Sequence, residues 1–143
     1  MKISSLLFIS ILDFSCTSKS SYNEWPHAGG ENNSYSLNID TPAPTYFSVA
    51  KNKNIAWSME LPEGGQSGIS IVGDKIFLTV LEPVTKDKVR KSSKNIVGLC
   101  IDAKTQKVLW QVALNGSVGG PSLYGFSDSS TPTPIADEKY VWF

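Results

Sequence analysis

Two stretches of this chain repeat one another, and an internal repeat limits the available folds more tightly than composition does. Ala56-Trp57-Ser58-Met59-Glu60-Leu61 aligns with Leu109-Trp110-Gln111-Val112-Ala113-Leu114, an offset of 53 residues. Ile71-Val72-Gly73-Asp74-Lys75-Ile76-Phe77-Leu78 aligns with Ile135-Ala136-Asp137-Glu138-Lys139-Tyr140-Val141-Trp142 at an offset of 64. The connection between the two segments explains the difference: the chain advances 10 residues from Leu61 to Ile71 and 21 from Leu114 to Ile135.

Inside each copy the apolar residues come in short β-branched and aromatic runs bounded by turn residues, with no helix-length period. The predicted strands are Ile55 to Leu61, Ile69 to Val72, Lys75 to Leu81, Ile96 to Asp102 and Val108 to Leu114. Gly73-Asp74 suits a two-residue hairpin, where glycine takes a positive φ that other residues resist. Asp102 precedes Ala103-Lys104-Thr105-Gln106 and can fix that turn by accepting hydrogen bonds from the next backbone amides. The connection from Glu82 to Asn95 carries Lys86, Lys88, Arg90, Lys91 and Lys94 without apolar period, which reads as a surface loop.

The fold class is therefore all-β. Four strands per unit at this spacing predict the four-stranded antiparallel blades of a partial β-propeller. One complete blade would span Ile69 to Leu114, after an outer strand holding Trp57 and before a half-blade reaching Phe143. Because closure takes several units, the chain is expected to be an incomplete propeller with an unprotected edge at Lys139 to Phe143.

Export is the second expectation. Lys2 and the apolar run Ile3 to Leu12 read as a signal peptide over residues 1–16, and ten such residues fall short of the roughly 20 that span a bilayer. Cys16, followed by Thr17-Ser18-Lys19-Ser20-Ser21, is a candidate lipidation site and tether; cleavage further on, which would discard Cys16, is the other reading. Residues 17–53 form a polar, Pro-rich lead-in whose aromatics, Trp25, Tyr35, Tyr46 and Phe47, are expected to pack on the repeats of residues 54–143.

Thirteen basic and thirteen acidic side chains cancel, which removes nucleic acid and anionic surfaces from the expected partners. One histidine and two distant cysteines supply no metal-ligand spacing, and Cys100 lies in an apolar run as a small buried hydrophobe. No nucleophile elbow or phosphate loop occurs, so no catalytic residue is assigned. Ser127-Asp128-Ser129-Ser130 is the one polar cluster placed just before a predicted inner strand. It marks Asp128, Ser129 and Ser130 as a possible top-face loop, or as a self-capping turn.

The run Cys100-Ile101-Asp102-Ala103-Lys104-Thr105-Gln106-Lys107-Val108-Leu109-Trp110 resembles the tryptophan-docking motif A-x-D-x-x-T-G-K-x-x-W of quinoprotein-type (PQQ-like) propellers. That family includes PQQ alcohol dehydrogenases and an outer-membrane assembly lipoprotein. Asp102, Thr105, Lys107 and Trp110 match; Cys100 stands in place of the alanine and Gln106 in place of the glycine. The resemblance implies that Trp57 and Trp110 act as girders between blades. It also implies an exported binding or assembly scaffold without a cofactor, in the periplasm, on the outer membrane or secreted, acting on an envelope protein or an extracellular ligand. The alternative it carries is an oxidoreductase holding PQQ over calcium. A secreted carbohydrate-associated propeller, suggested by the lead-in aromatics, is a further reading.

Overall fold

The computed structural model describes residues 24–30, 33–36, 43–83, 95–116 and 127–143. Its centre is a four-stranded antiparallel sheet of β1 (Ser70–Val72), β2 (Lys75–Leu81), β3 (Ile96–Asp102) and β4 (Lys107–Leu114), in that spatial order. A two-stranded sheet follows, formed by β5 (Ile135–Ala136) and β6 (Val141–Trp142). No α-helix occurs among the described residues.

Register follows from the turns. Val72 opposes Lys75 across Gly73-Asp74, with Gly73 at φ +59°, so the two-residue turn sits where glycine relieves the strain. Phe77 then opposes Cys100, and Cys100 opposes Trp110 after a bulge at Leu109 on β4. Phe77-Leu78-Thr79-Val80 and Gly98-Leu99-Cys100-Ile101 are buried without alternation, the mark of strands covered on both faces.

Each face has its own apolar cluster. On one, Leu78, Val80, Leu99 and Ile101 are joined by Met59 and Leu61 from the segment before β1. On the other, Val72, Phe77 and Cys100 meet Ala136 and Val141 of the small sheet. Val80 and Leu99 are almost fully enclosed, and burial of side chains this size stabilises by ~2 kcal/mol each relative to exposure. A β-carbon on Gly98 would come within 2.7 Å of the Phe143 ring, so glycine lets Phe143 lie against β3.

The segment Ile55 to Leu61 departs from expectation. Ile55, Trp57, Met59 and Leu61 are half-buried and the residues between them exposed, which is strand-like alternation. Yet no described residue pairs with it, so it is an extended segment laid on a sheet face rather than an outer strand. Alternation encodes which side chains turn inward; it does not encode a hydrogen-bonding neighbour.

The lead-in also differs. Trp25 forms an antiparallel bridge with Ile71, both hydrogen bonds at 2.8 Å, and Pro26 accepts the amide of Ala136 at 2.9 Å. These two residues clasp β1 and β5. Tyr35, Tyr46 and Phe47, expected to pack on the repeats, are exposed instead. Tyr46 is engaged locally, its ring facing Lys53 and its carbonyl accepting Asn54 Nδ2 at 2.6 Å.

Candidate functional site

The two ends of the sheets differ in kind. Among the described residues, one end carries the tight turns 73–74, 103–106 and 137–140. The β1–β2 and β3–β4 turns are tied together there, with the Ala103 amide donating to Asp74 O at 2.8 Å and Lys104 Nζ bonded to Asp74 Oδ2 at 2.5 Å. That ion pair is partly exposed and contributes about 0–1 kcal/mol.

The long connections gather at the other end. Residues 63–68 enter β1, the 82–95 connection joins β2 to β3, and 115–134 joins β4 to β5. Their described bases are hydrogen-bonded: Leu81 N to Gly64 O at 2.9 Å, Glu82 N to Asn95 O at 3.1 Å, and Gly116 N to Asn95 Oδ1 at 3.1 Å. Loops set on a β scaffold are where recognition is generally placed.

Asp128 and Ser130 form a hydrogen-bonded part of this loop rim. Asp128 Oδ1 accepts the Ser130 amide at 2.8 Å and the Ser130 hydroxyl at 2.5 Å. Ser130 Oγ in turn accepts the Gln66 amide at 2.9 Å, while Ser130 O accepts the Thr79 hydroxyl at 2.9 Å. Gln66 Oε1 receives the Asp128 amide at 3.0 Å. Ser130 is fully buried and each of its polar groups is engaged, so here the carboxylate organises a loop; Ser129 is exposed beside it.

The same contacts keep step along the chain. Gln66 meets Ser130, the Ser67 hydroxyl faces the Pro132 carbonyl, a β-carbon on Gly68 would strike Thr133, and the Ser70 hydroxyl bonds the Pro134 carbonyl. The separations are 64 or 65 residues throughout, so residues 66–70 run in step beside residues 130–134. Gln66 and Thr79 were not legible as site residues, because a buried polar contact across 51 or more positions leaves no local pattern.

The docking-motif residues divide between two places. Asp102 Oδ1 accepts the amides of Lys104 at 3.0 Å and Thr105 at 2.6 Å. Bonds from the Thr105 amide and hydroxyl, then from the Lys104 amide, hold the Asp102 carboxyl below its ordinary range. Gln106, in the glycine position of the motif, adopts φ +60° and donates its amide to Asp102 O at 2.8 Å. Lys107 opposes Asp102 and is exposed. Trp110 lies between Phe77, at 6.0 Å, and Phe143, at 6.2 Å and 89°. Trp57 is half-buried in the extended segment before β1.

Burial raises the pKa of the Cys100 thiol, against a smaller opposing pull from Lys75. Cys16 and the basic cluster Lys86 to Lys94 lie outside the described residues. Among the described residues no three His, Cys, Asp or Glu side chains converge as a metal site, and no helix is long and apolar enough to cross a membrane. His27 has a local role, its Nδ1 accepting the Gly29 amide at 3.3 Å. Compared with family models, curated proteins and solved structures, the chain matches none of them.

Proposed function

We propose that the chain is an exported quinoprotein-type β-propeller repeat protein, that its two sheets are consecutive blades, and that it serves as a non-enzymatic binding or assembly scaffold. The observation that carries this reading is the in-step packing of residues 66–70 against residues 130–134, which is how stacked repeats meet. The placement of Trp110 between Phe77 of one sheet and Phe143 beyond the other supports it. So does the gathering of every long connection at one end, where Asp128, Ser129 and Ser130 sit. The partner is an envelope protein or an extracellular ligand that contacts this loop rim.

A photo-crosslinking amino acid at Ser129, exposed on the rim, should capture a partner protein in intact cells, and the same group at Lys104, at the turn end, should not. Capture from Lys104 alone would reject the rim as the binding end. Titration with PQQ and calcium tests the scaffold reading against the oxidoreductase: a quinone absorbance change accompanied by dye reduction would overturn it.

A further inference from the structure

We propose that β4 is a homodimerisation edge, on which Trp110 to Leu114 pair antiparallel with the same segment of a second copy about a two-fold axis through Val112. The inference starts from an asymmetry between the two edges of the four-stranded sheet. Along β1 the edge is closed by Trp25, which takes both hydrogen bonds of Ile71. Along β4 no described residue pairs with the outer edge, although the strand is eight residues long. Such an edge is a template for another strand unless charge, proline or a bulge blunts it.

Those devices are confined to one end of β4. Lys107 is its only charged residue, and the bulge falls at Leu109, where the register shifts between Cys100 and Ile101. Beyond the bulge the five residues Trp110 to Leu114 pair regularly with β3, without charge, proline or glycine. Val112 is the midpoint of that regular run.

A two-fold axis there pairs chemically compatible residues. An antiparallel pair related by an axis normal to the sheet places residues of the same face opposite each other. Trp110, Val112 and Leu114 share the face that carries Phe77 and Phe143, given their partners Cys100, Gly98 and Ile96. Trp110 would therefore meet the partner's Leu114, and Val112 the partner's Val112, while Gln111 faces the partner's Ala113. No like charges oppose, and aromatic–aliphatic pairs of this kind favour pairing. Trp110 and Val112 are each 39% exposed, so surface remains for the second copy to cover.

The test is sedimentation equilibrium of the purified chain at micromolar concentrations, with three variants. The wild type should dimerise. Val112→Lys, which sets two ammonium groups against each other at the axis, should weaken the dimer about tenfold or more, equivalent to about 1.4 kcal/mol, with an unchanged far-ultraviolet spectrum. In a Cys16→Ser background, Val112→Cys should form an intermolecular disulfide on mild oxidation, since directly opposed β-carbons lie about 4.5–5.5 Å apart and a disulfide needs only a small approach. Ser58→Cys, exposed in the segment before β1, should not cross-link. A strictly monomeric wild type, or cross-linking at Ser58→Cys without cross-linking at Val112→Cys, would overturn the proposal. Should Val112→Lys unfold the chain, the Val112→Cys result decides, because cysteine is a smaller change at a partly exposed site.

Discussion

Trp110 stands edge-on to Phe143, with ring centroids 6.2 Å apart and planes at 89°, so a side chain of β4 meets the residue that follows β6. The edge-to-face geometry sets ring hydrogens against the π face and is favourable beyond simple area burial. Removing this bridge should loosen both sheets together. Trp110→Ala is expected to lower stability by about 2 kcal/mol, below the range for fully buried tryptophan because the ring stays partly exposed. Trp110→Phe should recover more than half of that loss in urea unfolding.

Ser130 offers a second, polar bridge between the repeats. Its replacement by alanine strips the Gln66 amide of its acceptor and Asp128 of a donor in a buried setting. Ser130→Ala should cost about 1–3 kcal/mol, whereas the exposed neighbour Ser129→Ala should stay within about 0.5 kcal/mol. Hydrogen exchange at the Gln66 amide checks the mechanism: it should accelerate in the first variant and not in the second.

Asp102 and Asp137 perform the same task at successive turns. Asp137 accepts the amides of Lys139 and Tyr140 at 2.7 and 2.6 Å, and bonds from Tyr140 and then Lys139 hold its carboxyl below the ordinary range, as at Asp102. Because both pKa values are lower in the folded than in the unfolded chain, the ionised carboxylates stabilise fully above about pH 4. That stabilisation disappears as pH falls through the folded values. The urea midpoint of the wild type should thus drop below about pH 4, and Asp102→Asn/Asp137→Asn should be less stable above that pH and converge with wild type beneath it.

Gln106 pays for a left-handed backbone at φ +60°, a conformation that glycine adopts without a β-carbon clash. Gln106→Gly should stabilise by about 0.5–1 kcal/mol, relief of the left-handed strain being partly offset by greater freedom of glycine in the unfolded chain. A matched thermal scan measures it, and an unchanged or lower midpoint would mean that the strain is taken up elsewhere in the turn.

The four strands β1 to β4 were legible because each is bounded by its own turn chemistry. The predicted Lys75 to Leu81 and Ile96 to Asp102 coincide with β2 and β3, and the other two differ by one residue at one end. The second hairpin was displaced by one position. Alignment set Gly73-Asp74 against Asp137-Glu138, but the bond from Asp137 N to Tyr140 O centres that turn on Glu138-Lys139. Without a glycine to mark the bend, the apolar pattern tolerated either register. Ile55 to Leu61 shows the opposite limit, since its inward residues were readable and its lack of a pairing strand was not. At the rim, Asp128 and Ser130 were visible as a polar cluster, whereas Gln66 and Thr79 became part of it only through folding.

The clasp formed by Trp25 and Pro26 fixes an order of events. Residue 26 is synthesised early, but the amide its carbonyl accepts belongs to Ala136, 110 positions later. The earliest described segment is therefore among the last to be secured, after the residues of both sheets have been made. Closing so distant a contact is slow relative to the local hairpins. Until Trp25 reaches Ile71 the β1 edge stays open, leaving a window in which a chaperone or a neighbouring chain can reach it first.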